Sequence, residues 1–287
     1  MSLCRLLLIL SLLGRPAGTY AQPTAEPGST PAAGSAEKAD PAALLPQYPS
    51  ELYAKLSEFT RPQWRQHYRA TVTRCLEGRQ QAAMGLGAVI ADLFLAAQAR
   101  DSQQVRNLLQ DEETIEKTLG LIDSMATLRT EVLGASEQAD WPRLTLGIEK
   151  LSAGQRRHLR SQKDEPLAEL AYIGQWLRTF QTCHAVVLAR GVDQQLAIGD
   201  PGLIGEMNRR LQTLSNAETE TNRCLRLLHK RLAGLARLWP LDATPVPDPA
   251  DRLRRSAELL NDAVGQLIQD EEPAASGTLA APKPTPP

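Results

Sequence analysis

AAMGLGAVIADLFLAAQA, residues 82–99, is the most apolar run of the chain beyond its first residues, and it carries one charge, Asp92. It shows no two-residue alternation and is too long for a buried strand, so it reads as a buried helix. On a helical projection Gly85, Ala88, Ala96 and Ala99 share the side of Asp92, a strip of small residues where another backbone can come close. Leu86, Ile90, Leu93 and Ala97 form the bulkier opposite side. A lone buried carboxylate must find a cation or several donors, or take up a proton. Asp92 therefore predicts either a pin between helices, held by an Arg, a His or a helix N-terminus, or the polar anchor of a ligand pocket or a proton acceptor.

The three- and four-residue periodicity continues on both sides of this run, while aromatic and β-branched residues are sparse. That pattern favours helix throughout. Ser50 is placed to cap a helix carrying Leu52, Leu56 and Phe59, and Pro62 to open one carrying Trp64, Tyr68, Val72 and Cys75. Asp101 caps SQQVRNLLQDEETIEKTL, and a further helix follows around residues 120–134. Asp140 caps WPRLTLGIEKL with a proline in the first turn, and Asp164 caps EPLAELAYIGQWLRTFQTCHAVVLAR, which Gly191 ends. Pro201 starts another helix and Asn216 caps AETETNRCLRLLHKRLAGLARLW.

QARDSQQVRNLL and QADWPRLTLGIEKL each combine a turn, a capping Asp and an amphipathic helix, 39 residues apart. Two copies without a third unit favour an irregular bundle over a solenoid. The expected fold is all-α, an irregular bundle of antiparallel helical hairpins over residues 50–239. A linker (240–249) and an amphipathic C-terminal helix (250–270) follow it.

TFQTCHAVV, residues 179–187, pairs Cys183 with His184. Leu170, Ile173, Leu177, Phe180 and Val187 gather on one side of that helix. His184 lies near its middle, Cys183 at its edge, and Gln175, Arg178 and Thr182 opposite. His184 is thus expected to be buried and Cys183 partly so. A covalently bound haem needs C-x-x-C-H, and this chain offers only T-C-H. The other histidines show no zinc-ligand spacing to His184. Adjacent helical residues point roughly 100° apart, which argues against a Cys-His catalytic pair. A core histidine is the plainer reading, and a contact between Asp92 and His184 is the sharpest functional one. Cys75 and Cys224 fall on apolar sides, so Cys75, Cys183 and Cys224 are candidates for one disulfide or for buried thiols.

Arg223, Arg226, Lys230 and Arg237 gather opposite the apolar line of Cys224, Leu228, Leu232 and Leu235. Such a helix can lie on an anionic membrane or bind an acidic partner, but a solvated outer side is commoner. The basic GQRRHLRSQK stretch (154–163) and the acidic Asp111-Glu112-Glu113 run read as solvated charge too. A net charge of −1 gives no field to attract nucleic acid. No phosphate-loop, nucleophile-elbow, zinc-protease or EF-hand pattern appears. With aromatic residues at 4%, a sugar cleft is not expected. Neither a cofactor nor a metal is expected.

The chain opens MSLCRLLLILSLLGRPAGTYAQP. Arg5, the apolar run Leu6–Leu13 and the small residues around Thr19-Tyr20-Ala21 read as a secretory signal peptide (1–21) cleaved near Ala21. The apolar run is shorter than the roughly 20 residues that span a bilayer, and no transmembrane segment is expected in the mature chain. Residues 22–49 and 271–287, rich in Pro and Ala, read as a disordered leader and tail.

The run LGAVIADLFLAAQARDSQQVRNLL, followed by ADWPRL and ELAYIGQWLRTF, resembles an uncharacterised group of exported all-α bacterial proteins over about residues 75–190. The resemblance implies fold and location only. The expected protein is periplasmic or secreted and works by binding an envelope partner or itself, without catalytic activity. The alternative is a small-molecule or metal binder with a buried polar site at Asp92 and His184.

Overall fold

A computed structural model of the protein describes residues 48–60, 62–69, 78–190, 201–214, 223–239 and 248–268. The signal peptide, nearly all of the leader, residues 240–247 of the linker, the C-terminal tail, Cys75 and Asn216 lie outside these residues. All regular elements among the described residues are helical, giving the all-α bundle expected. They are α1 (Pro49–Thr60), a 3-10 turn (Trp64–His67), α2 (Arg79–Gln98), α3 (Ser102–Leu119) and α4 (Ile122–Glu137). Then come α5 (Trp141–Ser161), α6 (Glu165–Arg190), α7 (Pro201–Thr213), α8 (Arg223–Leu238) and α9 (Pro249–Ile268).

Three of the corners are built alike. Arg100, Ala139 and Lys163 adopt left-handed φ values of 52°, 54° and 64°. The Asp after each donates its amide back to the preceding helix: Asp101 to Ala96 (3.1 Å), Asp140 to Ala135 (3.0 Å) and Asp164 to Leu159 (2.9 Å). This closes the orphan carbonyls of one helix while placing an acceptor for the next. Asp101 and Asp140 then cap as expected, accepting from the amides of Gln104 (3.1 Å) and Arg143 (3.2 Å). The Asp164 carboxylate instead takes Arg79 of α2 at 2.7 Å. The apparent repeat is thus a recurrent corner at unequal spacing, as an irregular bundle requires.

The bundle is organised around α2 and α6. Every residue from Ala82 to Ala97 is buried. Gln175, Arg178 and Thr182, the supposed outer side of α6, are buried as well. α2 is long and apolar enough to cross a membrane by length and composition, but most of it is enclosed by the bundle. The two helices meet backbone to backbone. A β-carbon on Gly87 would collide with the carbonyl of Ala171 and stand 2.6 Å from the Gln175 nitrogen, and one on Gly174 would collide with the Met84 carbonyl. Only glycine permits such an approach.

The closest approach runs through Gly87, which lies outside the strip of small residues beside Asp92, while Asp92 itself meets α6 through Arg178. With all sides buried, side-chain bulk does not reveal which one meets the neighbour. Arg79 pairs with Asp164, Gly87 meets Ala171–Gln175, and Asp92 meets Arg178. The contacts advance in step, so α2 and α6 run in the same direction, as three alternating helices between them require.

Two N-terminal expectations change. Ser50 does not cap α1; its hydroxyl donates to Glu149 of α5 at 3.0 Å. Of the segment after Pro62, the described residues 62–69 form a 3-10 turn followed by an extended Tyr68 (ψ 141°), and Val72 and Cys75 lie outside the described residues. Tertiary contacts hold it there, with Trp64 packed on Tyr53 at 5.2 Å between ring centroids. At the other end, Leu253, Leu260, Ala263 and Val264 of α9 join the same apolar core as α2 and α6.

Candidate functional site

Asp92 is 4% exposed and bridges two arginines. Arg178 of α6 donates Nε to Oδ1 at 2.7 Å, and Arg69, in the extended segment before α2, donates Nε to Oδ2. The remaining donors of Arg178 go to the His67 carbonyl (2.6 Å) and to Gln181 Oε1 (2.6 Å). One carboxylate therefore ties α2, α6 and the 62–69 segment together, the pin role expected of it. Arg69 also lies near Asp111 of α3, whose carboxyl is pushed up by burial and drawn back down by that guanidinium. The Nη1 and Nη2 atoms of Arg69 are buried without a hydrogen-bond partner among the described residues.

His184 has different company. Its Nδ1–H donates to the Phe180 carbonyl one turn back, at 2.8 Å, which leaves Nε2 as a buried acceptor without a partner among the described residues. The ring stands edge-on to Trp239 at 6.1 Å, and Trp239 donates to Ser256 at 2.8 Å. Burial lowers the His184 pKa to about 4, with the Phe180 carbonyl partly opposing, so the imidazole is neutral at pH 7. Cys183 is a free thiol, wholly buried rather than at an edge, and burial raises its pKa. It lies close to Tyr53 of α1. The side chains of Cys75 and Cys224 lie outside the described residues.

A second cluster was missed in the sequence. Glu112 and Glu116 of α3 are fully buried, whereas Glu113 beside them is half-buried. The Gln155 amide of α5 donates one N–H to Glu112 Oε1 and the other to Glu116 Oε1, the latter at 2.9 Å. Arg129 of α4 pairs with Glu116 Oε2 and donates to the Ile122 carbonyl at 3.1 Å. Glu112 Oε2 is buried with no partner among the described residues. Burial pushes the Glu112 carboxyl up to about 8, against the pull of Arg129 and Gln155. The cluster is thus a carboxylate–arginine pair beside a carboxylic acid that keeps its proton near neutrality. The signal was available, because Glu112 falls in the line Val105, Leu108, Ile115, Leu119 at three- and four-residue spacing.

At the surface, Arg226, Lys230 and Arg237 of α8 are exposed as expected, and the Arg223 side chain lies outside the described residues. A groove of about 500 Å³ between α8 and α9 is lined by Arg231, Arg237, Arg255, Glu258, Leu259 and Asp262. Another, of about 330 Å³, runs along α5 beside Tyr48 and Leu128, and there Leu146 is 50% exposed. Among the described residues no group of three His, Cys, Asp or Glu side chains forms a metal site. Comparisons of this chain with protein-family models, curated proteins and solved structures give no match.

Removing the Asp92 charge leaves the largely buried Arg178 without a carboxylate and Arg69 with only Asp111 nearby. Asp92→Asn is expected to lower the unfolding free energy by about 3 kcal/mol in urea titrations. For Glu112 the folded pKa lies above the unfolded one, so its stabilisation is present in acid and drains away as pH rises through about 8. Relative to Glu112→Gln, the native chain should lose stability with rising pH, by at most about 1.4 kcal/mol per unit. Urea midpoints of both proteins, measured from the ordinary carboxyl value of 4.5 up to about 8, test the slope.

Proposed function

We propose that the protein is exported through its N-terminal signal peptide, cleaved near Ala21, and acts in the periplasm or outside the cell as a binding or scaffolding bundle without catalytic activity. Its partner is an envelope protein or a second copy of itself. One observation carries this reading. The two residues a buried ligand pocket would need, Asp92 and His184, have separate protein partners within packed core, while Leu146 stands exposed in a groove on α5. An exposed leucine in an open surface groove is the feature that supports a docking role. The basic side of α8, with Arg226, Lys230 and Arg237 exposed, extends the reading to contact with an anionic membrane surface.

A small-molecule or metal binder centred on Asp92 and His184 is the second reading. It draws support from the buried nitrogens of Arg69 and His184 that have no partner among the described residues.

Native mass spectrometry of the chain isolated from an envelope fraction separates the two. The docking reading expects a protein complex or dimer that Leu146→Asp abolishes without lowering the melting temperature. A bound small mass lost on Asp92→Asn, with no complex, would overturn it in favour of the second reading.

A further inference from the structure

The basic stretch 154–163 is not the solvated face its composition suggests. Gln155 and Leu159 are buried and Arg156 is half-buried, while Arg157 and Arg160 are exposed. Arg156 donates Nη1 to Gln175 Oε1 at 3.3 Å, and its Cζ stands 5.8 Å from the centre of the Tyr172 ring. The same ring carries Arg210 of α7 at 4.2 Å. Two cations therefore converge on one aromatic side chain, a favourable but modest attraction for each.

The carboxylates of this corner are already engaged. Glu169 accepts from Arg160 (3.0 Å) and from Arg210 (2.6 Å). Glu206 accepts from Arg210 (2.7 Å) and from Arg209 (2.6 Å). Four arginines thus face two carboxylates, and among the described residues none of these ion pairs includes Arg156. Its guanidinium is depressed in pKa by burial first and by Arg160 and Arg210 among its neighbours. A guanidinium cannot shed its proton in a protein, so a half-buried one without an acid is electrostatically incomplete.

We propose that Arg156, with Arg160 and Arg210 beside Tyr172, forms an anion site at the α5–α6–α7 corner that takes a dianion of the phosphate class. Two features select that ligand. With Arg209 counted, the corner sets four arginines against two carboxylates, an excess of positive charge that matches a doubly charged group better than a singly charged one. The planar fork of Arg156, with only Nη1 committed to Gln175, suits two oxygens of a tetrahedral oxyanion. Tyr48 and Arg157 of the Leu146 groove lie near Arg156, but the anion site draws on Arg156, Arg160, Arg210 and Tyr172 and does not depend on the docking reading.

Isothermal titration of the full chain with inorganic phosphate at low chloride tests it, with acetate run in parallel. The expected result is phosphate binding with a Kd on the order of 1 mM or tighter, weakened at least about tenfold in Arg156→Gln. Arg106→Gln, which removes a surface arginine paired with Glu137, should leave it unchanged. Absence of phosphate binding by the native chain overturns the proposal whether or not the variant folds. Equal losses in both variants, or acetate binding as tightly as phosphate, overturn it too.

Discussion

The contact on which the rest of the molecule depends is the meeting of two backbones, α2 and α6, at Gly87 and Gly174. Peptide groups that close leave no room for side chains between them, so the neighbouring helices are placed around the pair. α3 and α5 pack beside α2, and α9 lies against α6. Because both central helices are enclosed, each is apolar around most of its circumference, and the polar groups they carry must be satisfied inside the bundle.

The two buried clusters meet that demand in different ways. Asp92 keeps its partners within reach by accepting from one arginine of α6 and one from the segment before α2. Glu112 has no cation of its own, since Arg129 is committed to Glu116, and its burial is relieved by retaining a proton. A desolvated carboxylate finds a counter-charge or becomes neutral, and both outcomes sit within one small fold. His184 follows the same logic from the basic side: it gives up its charge and hydrogen-bonds its own helix.

The all-α class, most helix boundaries and two Asp caps were legible because they depend on local periodicity and on short-range hydrogen bonds. The pinning of Asp92 by arginine was legible as a class of partner, since a single charge in an apolar run has few alternatives. The identity of those arginines was not, because Arg69 and Arg178 are distant in sequence and meet Asp92 only through the fold. Gly87 escaped notice because a glycine's role lies in what approaches it. Glu112 and Arg156 were read as solvated charge from the composition of their neighbours, although the spacing of Glu112 with Leu108 and Ile115 placed it inside. The adjacency of Cys183 and His184 carries no joint chemistry, since one faces α1 and the other Trp239.

The central claim is that the α2–α6 backbone contact sets the packing of the bundle. Urea unfolding of Gly87→Ala, with Gly134→Ala as reference, addresses it directly. A β-carbon at Gly134 meets nothing within 4 Å, so that change should be neutral or stabilising by up to about 1 kcal/mol through helix propensity. Gly87→Ala forces the two backbones apart and should cost about 2–3 kcal/mol or more. A Gly87→Ala protein as stable as the native chain would contradict the account.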